Sequence, residues 1–204
     1  MSHSPTEAWA PTPTIELESD SFASGQVLSK MWMADQLENT LSQDHRLRIA
    51  CYGSWYGWLS FFLFLRGKLP IEKVVCYDSD ADAIAKARVI HEAFVMQGRF
   101  DSHALDVNDL ALSTMNEHLG GSPDLIINTS TEHFTSDQWF ENLPRGQWVA
   151  LQACNMNIHD HVKKVNSEKE MVERFALREV AFIGTKSFRY PTWGFKRFML
   201  IGRV

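Results

Sequence analysis

The segment Asn128-Thr-Ser-Thr-Glu132-His133-Phe134 concentrates groups able to do chemistry. An imidazole titrates near neutrality, so His133 can take a proton from an incoming nucleophile. Glu132 can do the same or hold a substrate cation, and the Asn128 amide can orient an amine. The bland alternative is a solvated loop whose Thr and Ser residues cap a following helix. A second polar stretch holds Gln152, Asn155 and Asn157, whose amides can recognise polar groups, and then His159 and His161. Alternate histidines converge on a metal only from a strand or a special loop. No third ligand stands at motif spacing, so no metal site is expected. Arg189, Tyr190, Trp193, Lys196 and Arg197 form an aromatic and basic cluster near the C-terminus. Such a cluster can stack on and neutralise a nucleotide, or consist simply of snorkelling strand residues.

These residues sit in a chain of 204 residues, 45% hydrophobic and 22% charged, with net charge −5. That balance argues for one globular domain and against wholesale disorder. The acidic balance gives no broad electrostatic grip on nucleic acid. The three cysteines are far apart and form no CxxC pair, which argues against a zinc ribbon or a disulfide scaffold. Their apolar surroundings predict buried, reduced thiols and a cytoplasmic protein. Residues 1–22, rich in Pro, Ser and Thr, read as a flexible arm without the apolar core of a signal peptide, followed by a single domain over 23–204. The dense apolar stretch around Trp58–Leu65 is far shorter than the ~18 residues of a membrane span.

The periodicities supply the elements that must position the polar groups. A helix is predicted from Gln26 to Leu41, with Val27, Met31, Ala34 and Leu37 on one stripe. Strands follow at 46–52, 71–77, 100–105, 124–128 and 147–153, and helical segments intervene. A long helix is predicted from Ala81 to about Met96, capped by Asp80. Two final strands, 179–188 and 194–204, have no helix between them and predict an antiparallel hairpin. Repeated strand–helix units imply a parallel sheet covered on both faces. The predicted fold class is therefore α/β, a Rossmann-like seven-stranded mixed sheet whose last strand is reversed between its neighbours.

This layout, from residue 26 to 204, resembles the class I S-adenosylmethionine-dependent methyltransferase fold. In open α/β sheets ligands lie outside the carboxyl ends of the strands, near the topological switch. The resemblance implies a cofactor site on the loop after the first strand, here Tyr52-Gly53-Ser54-Trp55-Tyr56-Gly57. The family's glycine-rich pattern is reduced there to Gly53 and Gly57, and no GxGxxG is present. Tyr52, Trp55 and Tyr56 would line the pocket or pack the next helix, and Ser54 would bind the cofactor with Gly53 and Gly57. Asp78, closing Val-Val-Cys-Tyr-Asp, stands where the family's acid accepts hydrogen bonds from both ribose hydroxyls. Asp106 stands where a polar residue meets the adenine amino group, with Val107 against the ring. Lys30, on the first helix, would meet the cofactor's carboxylate or remain a solvated helix lysine. Asn128 would orient the methionine part of the cofactor. Nucleic-acid amino methyltransferases often carry Asp/Asn-Pro-Pro-aromatic after the fourth strand, and the prolines are missing here.

The resemblance implies an S-adenosylmethionine-dependent methyltransferase with Asn128, Glu132 and His133 as the reacting or orienting groups. A small acceptor is favoured over nucleic acid, and no membrane partner is implied. Two rivals remain open. Nicotianamine-synthase-like enzymes use the same cofactor to transfer its aminobutyrate chain, and a binding or assembly module can keep the fold without catalysis.

Overall fold

The computed structural model describes residues 14–204. Of the arm expected over 1–22, residues 1–13 lie outside the described residues, and Ser19–Phe22 make a single 3-10 turn. The elements then run α1 (Ser24–Thr40), β1 (Leu47–Tyr52), α2 (Trp58–Arg66), β2 (Ile71–Asp78), α3 (Ala81–Ile90), α4 (Glu92–Met96), β3 (Phe100–Ala104), α5 (Leu112–Leu119), β4 (Leu125–Asn128), α6 (Gln138–Glu141), β5 (Trp148–Cys154), α7 (Glu168–Arg174), β6 (Glu179–Arg189) and β7 (Gly194–Arg203).

The sheet has seven strands in the order β3-β2-β1-β4-β5-β7-β6. β1 to β5 pair parallel, and β7 inserts antiparallel between β5 and β6. The expected mixed sheet and terminal hairpin are both present. The central strands are buried nearly throughout, because helices cover both faces. One face packs Met33 and Leu37 of α1, Leu59 and Leu63 of α2 and Ala87 of α3 on Ile49, Val74 and Ile127. The other packs Met115 of α5, Trp139 of α6 and Met171 of α7 on Ala50, Val75 and Leu151.

Three expectations need correction. The long helix predicted from Ala81 to Met96 is divided at His91, whose backbone leaves the helical region. The His91 ring is wholly buried, stacks on Phe100 with centroids 3.9 Å apart, and uses Nδ1 to bond the Ala87 carbonyl at 2.8 Å. A side chain tied back to its own last turn ends the helix there. The apolar stripe on α1 is also rotated from that predicted. Met31 is exposed, whereas Ser29 and Lys30 are buried with Met33, Ala34 and Leu37. Lys30 is therefore not the solvated helix lysine of the simpler reading. Hydrophobicity misplaced this face because the helix turns polar groups inward, toward a cavity.

The start of α1 has no side-chain cap of its own. The Tyr190 hydroxyl, from the loop between β6 and β7, accepts the Gly25 N–H at 3.1 Å instead. A Cβ at Gly25 would lie 2.9 Å from the Phe195 ring, so glycine lets the hairpin close onto the helix. Among the described residues no helix is long and apolar enough to cross a membrane. All three cysteines are buried and free, as expected.

Candidate functional site

A cavity of about 820 Å³ opens outside the carboxyl ends of the parallel strands. It lies where the strand order reverses between β1 and β4, the position at which an open α/β sheet can hold a ligand without disturbing its ladders. The volume is that of a site for a cofactor with a small partner molecule.

The cofactor-like end is built by three strand ends. After β1, Gly53 takes φ 56°, Trp55 takes φ 49° and Gly57 takes φ 72°. This left-handed turn directs the Trp55 N–H to Asp78 Oδ2 at 2.7 Å, while the Asp80 N–H reaches Asp78 Oδ1 at 3.1 Å. Asp78 thus fixes the β1 loop and keeps a second lone pair on each oxygen for a ligand. Asp80 is the helix cap, accepting from the Asp82 and Ala83 N–H groups. Gly53, Ser54, Trp55 and Asp78 all line the cavity, and so do Asp106 and Val107 after β3. Val107 is buried, whereas the exposed Asp106 accepts from the Asn108 N–H and side-chain amide at 2.9 Å each. Ser54 Oγ is buried without a hydrogen-bond partner among the described residues.

Other expected residues are placed elsewhere. Tyr52 is buried on the α5 side of the sheet, its hydroxyl 3.3 Å from Met115 Sδ and its ring edge-on to Tyr77 and Trp139. Gly57 is off the main cavity. A Cβ there would meet His91 Cε1 at 2.9 Å, so its glycine serves helix packing. At Gly53 a Cβ would meet Phe134 and Ser130, so the ligand-facing feature of this residue is backbone. Asn128 is wholly buried, and its Oδ1 accepts the Ser130 N–H at 2.9 Å to shape the turn after β4. Gln152 is buried and donates to the Ser29 carbonyl at 3.0 Å, tying β5 to α1. Asn155 accepts the Lys196 N–H and Asn157 accepts from Lys164, so both amides serve the local chain.

The opposite end of the cavity is walled by Met156, Ile158, Tyr190, Trp193 and Phe195. Tyr190 and Trp193 stack with centroids 4.3 Å apart, and Phe195 lies parallel behind them. Of the C-terminal aromatic and basic cluster, Tyr190, Trp193 and Arg197 reach the cavity. Residues Glu18, Asp20 and Ala23 close its rim, so the segment before α1 forms part of the wall.

A charged group underlies this end. Glu132 is wholly buried rather than solvated, with Oε1 3.3 Å from Arg197 Nη1 and 4.0 Å from His161 Nε2. Arg197, also buried, is on β7 and pairs with Cys154 of β5, so the antiparallel insertion of β7 brings it to the cavity. Lys30 Nζ donates to Gln26 Oε1 at 2.6 Å. Burial, followed in effect by the Arg197 charge, pushes its ammonium down to about 7. His133 is partly exposed on the cavity wall, its Nδ1 3.2 Å from Asp160 Oδ2. Sequence reasoning passed over the Glu132–Arg197 pair and Asp160, because each joins segments far apart in the chain. No local spacing signals them.

No known protein-family model and no curated protein sequence matches the chain. Solved structures do. Magnesium protoporphyrin IX methyltransferase ChlM from Synechocystis PCC 6803, solved with bound S-adenosylmethionine, is 14% identical over 92% of this chain and 86% of its own, with TM-score 0.60. YcgJ from Bacillus subtilis is 9% identical over 85% of this chain and 98% of its own, with TM-score 0.61. The cyclase SpnF is 14% identical over 91% and 84%, with TM-score 0.64. The chain has the class I S-adenosylmethionine-dependent methyltransferase fold. A methyltransferase and a cyclase among these neighbours show that the fold alone does not fix the reaction.

Proposed function

We propose that the protein binds S-adenosylmethionine in the cavity and transfers its methyl group to a small acceptor. One observation carries the reading. Asp78, at the carboxyl end of β2, anchors the left-handed β1 loop and faces the same cavity with unused acceptor capacity. A carboxylate so held suits paired ribose hydroxyls, and Val107 offers an apolar surface for adenine. The Lys30 amine on the cavity wall suits the polar amino-acid end of the cofactor.

Bound S-adenosylmethionine supplies a methyl group made electrophilic by the sulfonium charge. The chain's part is then alignment and exclusion of water. The aromatic wall of Tyr190, Trp193 and Phe195 and the rim from Glu18 to Ala23 would enclose a small acceptor. His133, steadied by Asp160, stands at the acceptor end, where a nucleophile must lose its proton. Asn128 and Glu132 act through the loop, as positioning residues. Three buried thiols suit work in a reducing compartment such as the cytoplasm.

Calorimetric titration with S-adenosylmethionine and S-adenosylhomocysteine, with NAD as control, tests the cofactor. Binding of the first two alone supports the reading, and binding of none defeats it. Product analysis tests the transfer. S-adenosylhomocysteine marks methyl transfer, while methylthioadenosine would replace it with aminobutyrate transfer.

A further inference from the structure

The cavity wall carries a side-chain group that cofactor binding leaves unused. Glu132 and His133 follow β4, and His161 follows β5. Each offers one ligand atom, and these atoms all lie within 4.8 Å of one another. No other such group of His, Cys, Asp or Glu occurs among the described residues. His159, the other half of the alternate-histidine pair, is exposed and outside the group. Only His161 of that pair takes part, and the other two ligand groups come from the β4 loop.

We propose that Glu132, His133 and His161 bind a divalent first-row transition-metal ion whose open positions face the acceptor end of the cavity. The hydrogen bonds around the two imidazoles favour this. His161 Nδ1 lies 3.0 Å from the Met156 carbonyl, so that nitrogen carries the proton and Nε2 keeps its lone pair. His133 Nδ1 lies 3.2 Å from Asp160 Oδ2, which likewise leaves a lone pair on Nε2. Metal-binding histidines are oriented in this way, by a carbonyl or carboxylate on the other nitrogen. The carboxylate contributes the second observation. Glu132 is wholly buried, and its Oε2 has no hydrogen-bond partner among the described residues. Arg197 Nη1 at 3.3 Å and His161 Nε2 at 4.0 Å both lie nearest Oε1, so the carboxylate must turn to offer Oε2 to an ion while Oε1 stays with the guanidinium.

Ligands bonded at about 2.1 Å to a tetrahedral ion lie about 3.4 Å apart, so atoms within 4.8 Å of one another must draw in by up to about 1.4 Å, which side-chain rotation on the two loops can supply. Two imidazoles and one carboxylate suit Zn²⁺, Fe²⁺, Co²⁺ or Mn²⁺ better than Mg²⁺, which prefers oxygen ligands. His133 and His161 line the cavity while Glu132 lies beneath it, so the open side of the ion faces the acceptor. The acceptor class this selects carries an oxygen donor, such as a hydroxyl that gives up its proton to water more readily on the ion. That role rests on the transfer reading above, with the ion replacing His133 as the means of deprotonating the acceptor, whereas metal binding itself does not.

The test uses the full chain without an affinity tag, stripped with chelator and titrated with Co²⁺ in the absence of S-adenosylmethionine. The expected result is one ion per chain, with a visible d–d absorption of a nitrogen- and oxygen-ligated site. His133→Ala and His161→Gln should each weaken binding at least tenfold, and His159→Ala should leave it unchanged. Because Glu132 is paired with Arg197, Glu132→Gln is used only after thermal unfolding shows that it is folded. His133 is partly exposed, so His133→Ala keeps the test decisive if Glu132→Gln does not fold. A folded wild-type chain that takes up neither Co²⁺ nor Zn²⁺ would overturn the proposal, and so would binding unaltered by His133→Ala and His161→Gln. Failure of S-adenosylmethionine to bind in the separate titration leaves the metal result standing, so the two readings fail independently.

Discussion

Asp78 and Lys30 show how single groups at this site do more than one job. Asp78 holds the β1 loop through Trp55 and faces the cavity, so Asp78→Asn removes the charge while keeping the shape. We expect it to weaken S-adenosylmethionine binding by about 1.5–3 kcal/mol, read as a change in Kd by calorimetry. Unchanged affinity in a folded variant would remove Asp78 from the ribose. Lys30 is held near 7 by burial and by Arg197, so the free protein carries it largely neutral at about pH 8. A cofactor carboxylate nearby raises that value, and binding then takes up a proton. Calorimetry in buffers of different ionisation enthalpy should show this uptake in the wild type and not in Lys30→Met. Asp78 was legible in the sequence because a strand end followed by a cap is a local pattern. The burial of Glu132 was not, because its partner Arg197 is 65 positions away.

The elements that matter most for the site are α1 and the β6–β7 hairpin. Helix α1 begins without its own cap and borrows the Tyr190 hydroxyl, while Gly25 makes room for Phe195. Tyr190→Phe should cost about 1 kcal/mol by leaving the Gly25 N–H unpaired, as loss of a helix cap does, measured by urea unfolding. The same change should loosen the cavity wall and raise the KM for the acceptor more than the Kd for the cofactor. Gly57 gives a second element-scale test. Its φ of 72° and the His91 ring 2.9 Å from any added Cβ make Gly57→Ala destabilising, by roughly 1–3 kcal/mol. A neutral substitution there would show that the contact between the β1 loop and His91 yields freely. The apolar stripe assigned to α1 from periodicity was rotated, because a helix that buries Ser29 against Gln152 of β5 and presents Lys30 to a cavity does not follow hydrophobicity.

At the scale of the molecule, His91 couples stability to pH. Its ring is buried between Gly57 and Phe100, and burial pushes it down to about 4 from 6.5. Between these values the unfolded chain binds the proton and the folded chain does not, so stability falls as pH drops from 6.5 toward 4. The loss from this one group reaches at most about 3 kcal/mol. His91→Phe keeps a ring on Phe100 and should flatten the pH dependence of the urea midpoint across that window. An equal slope in both proteins would assign the acid sensitivity to other groups.

Local signals in the chain set the order of the strands, the unbroken passage from β6 to β7, and the place of Asp78 at a strand end. Each of these follows from near-neighbour periodicity and from Gly, Pro and capping residues, which act within a few positions. Tertiary structure decided what those signals do not encode. It turned Lys30 and Glu132 inward, spent Gly57 on His91, set Arg197 beside the cavity through the reversed β7, and brought His161 to Glu132 and His133. These contacts join segments from different strand ends, and which ends meet is fixed only when the sheet assembles in its order and the helices pack on both faces.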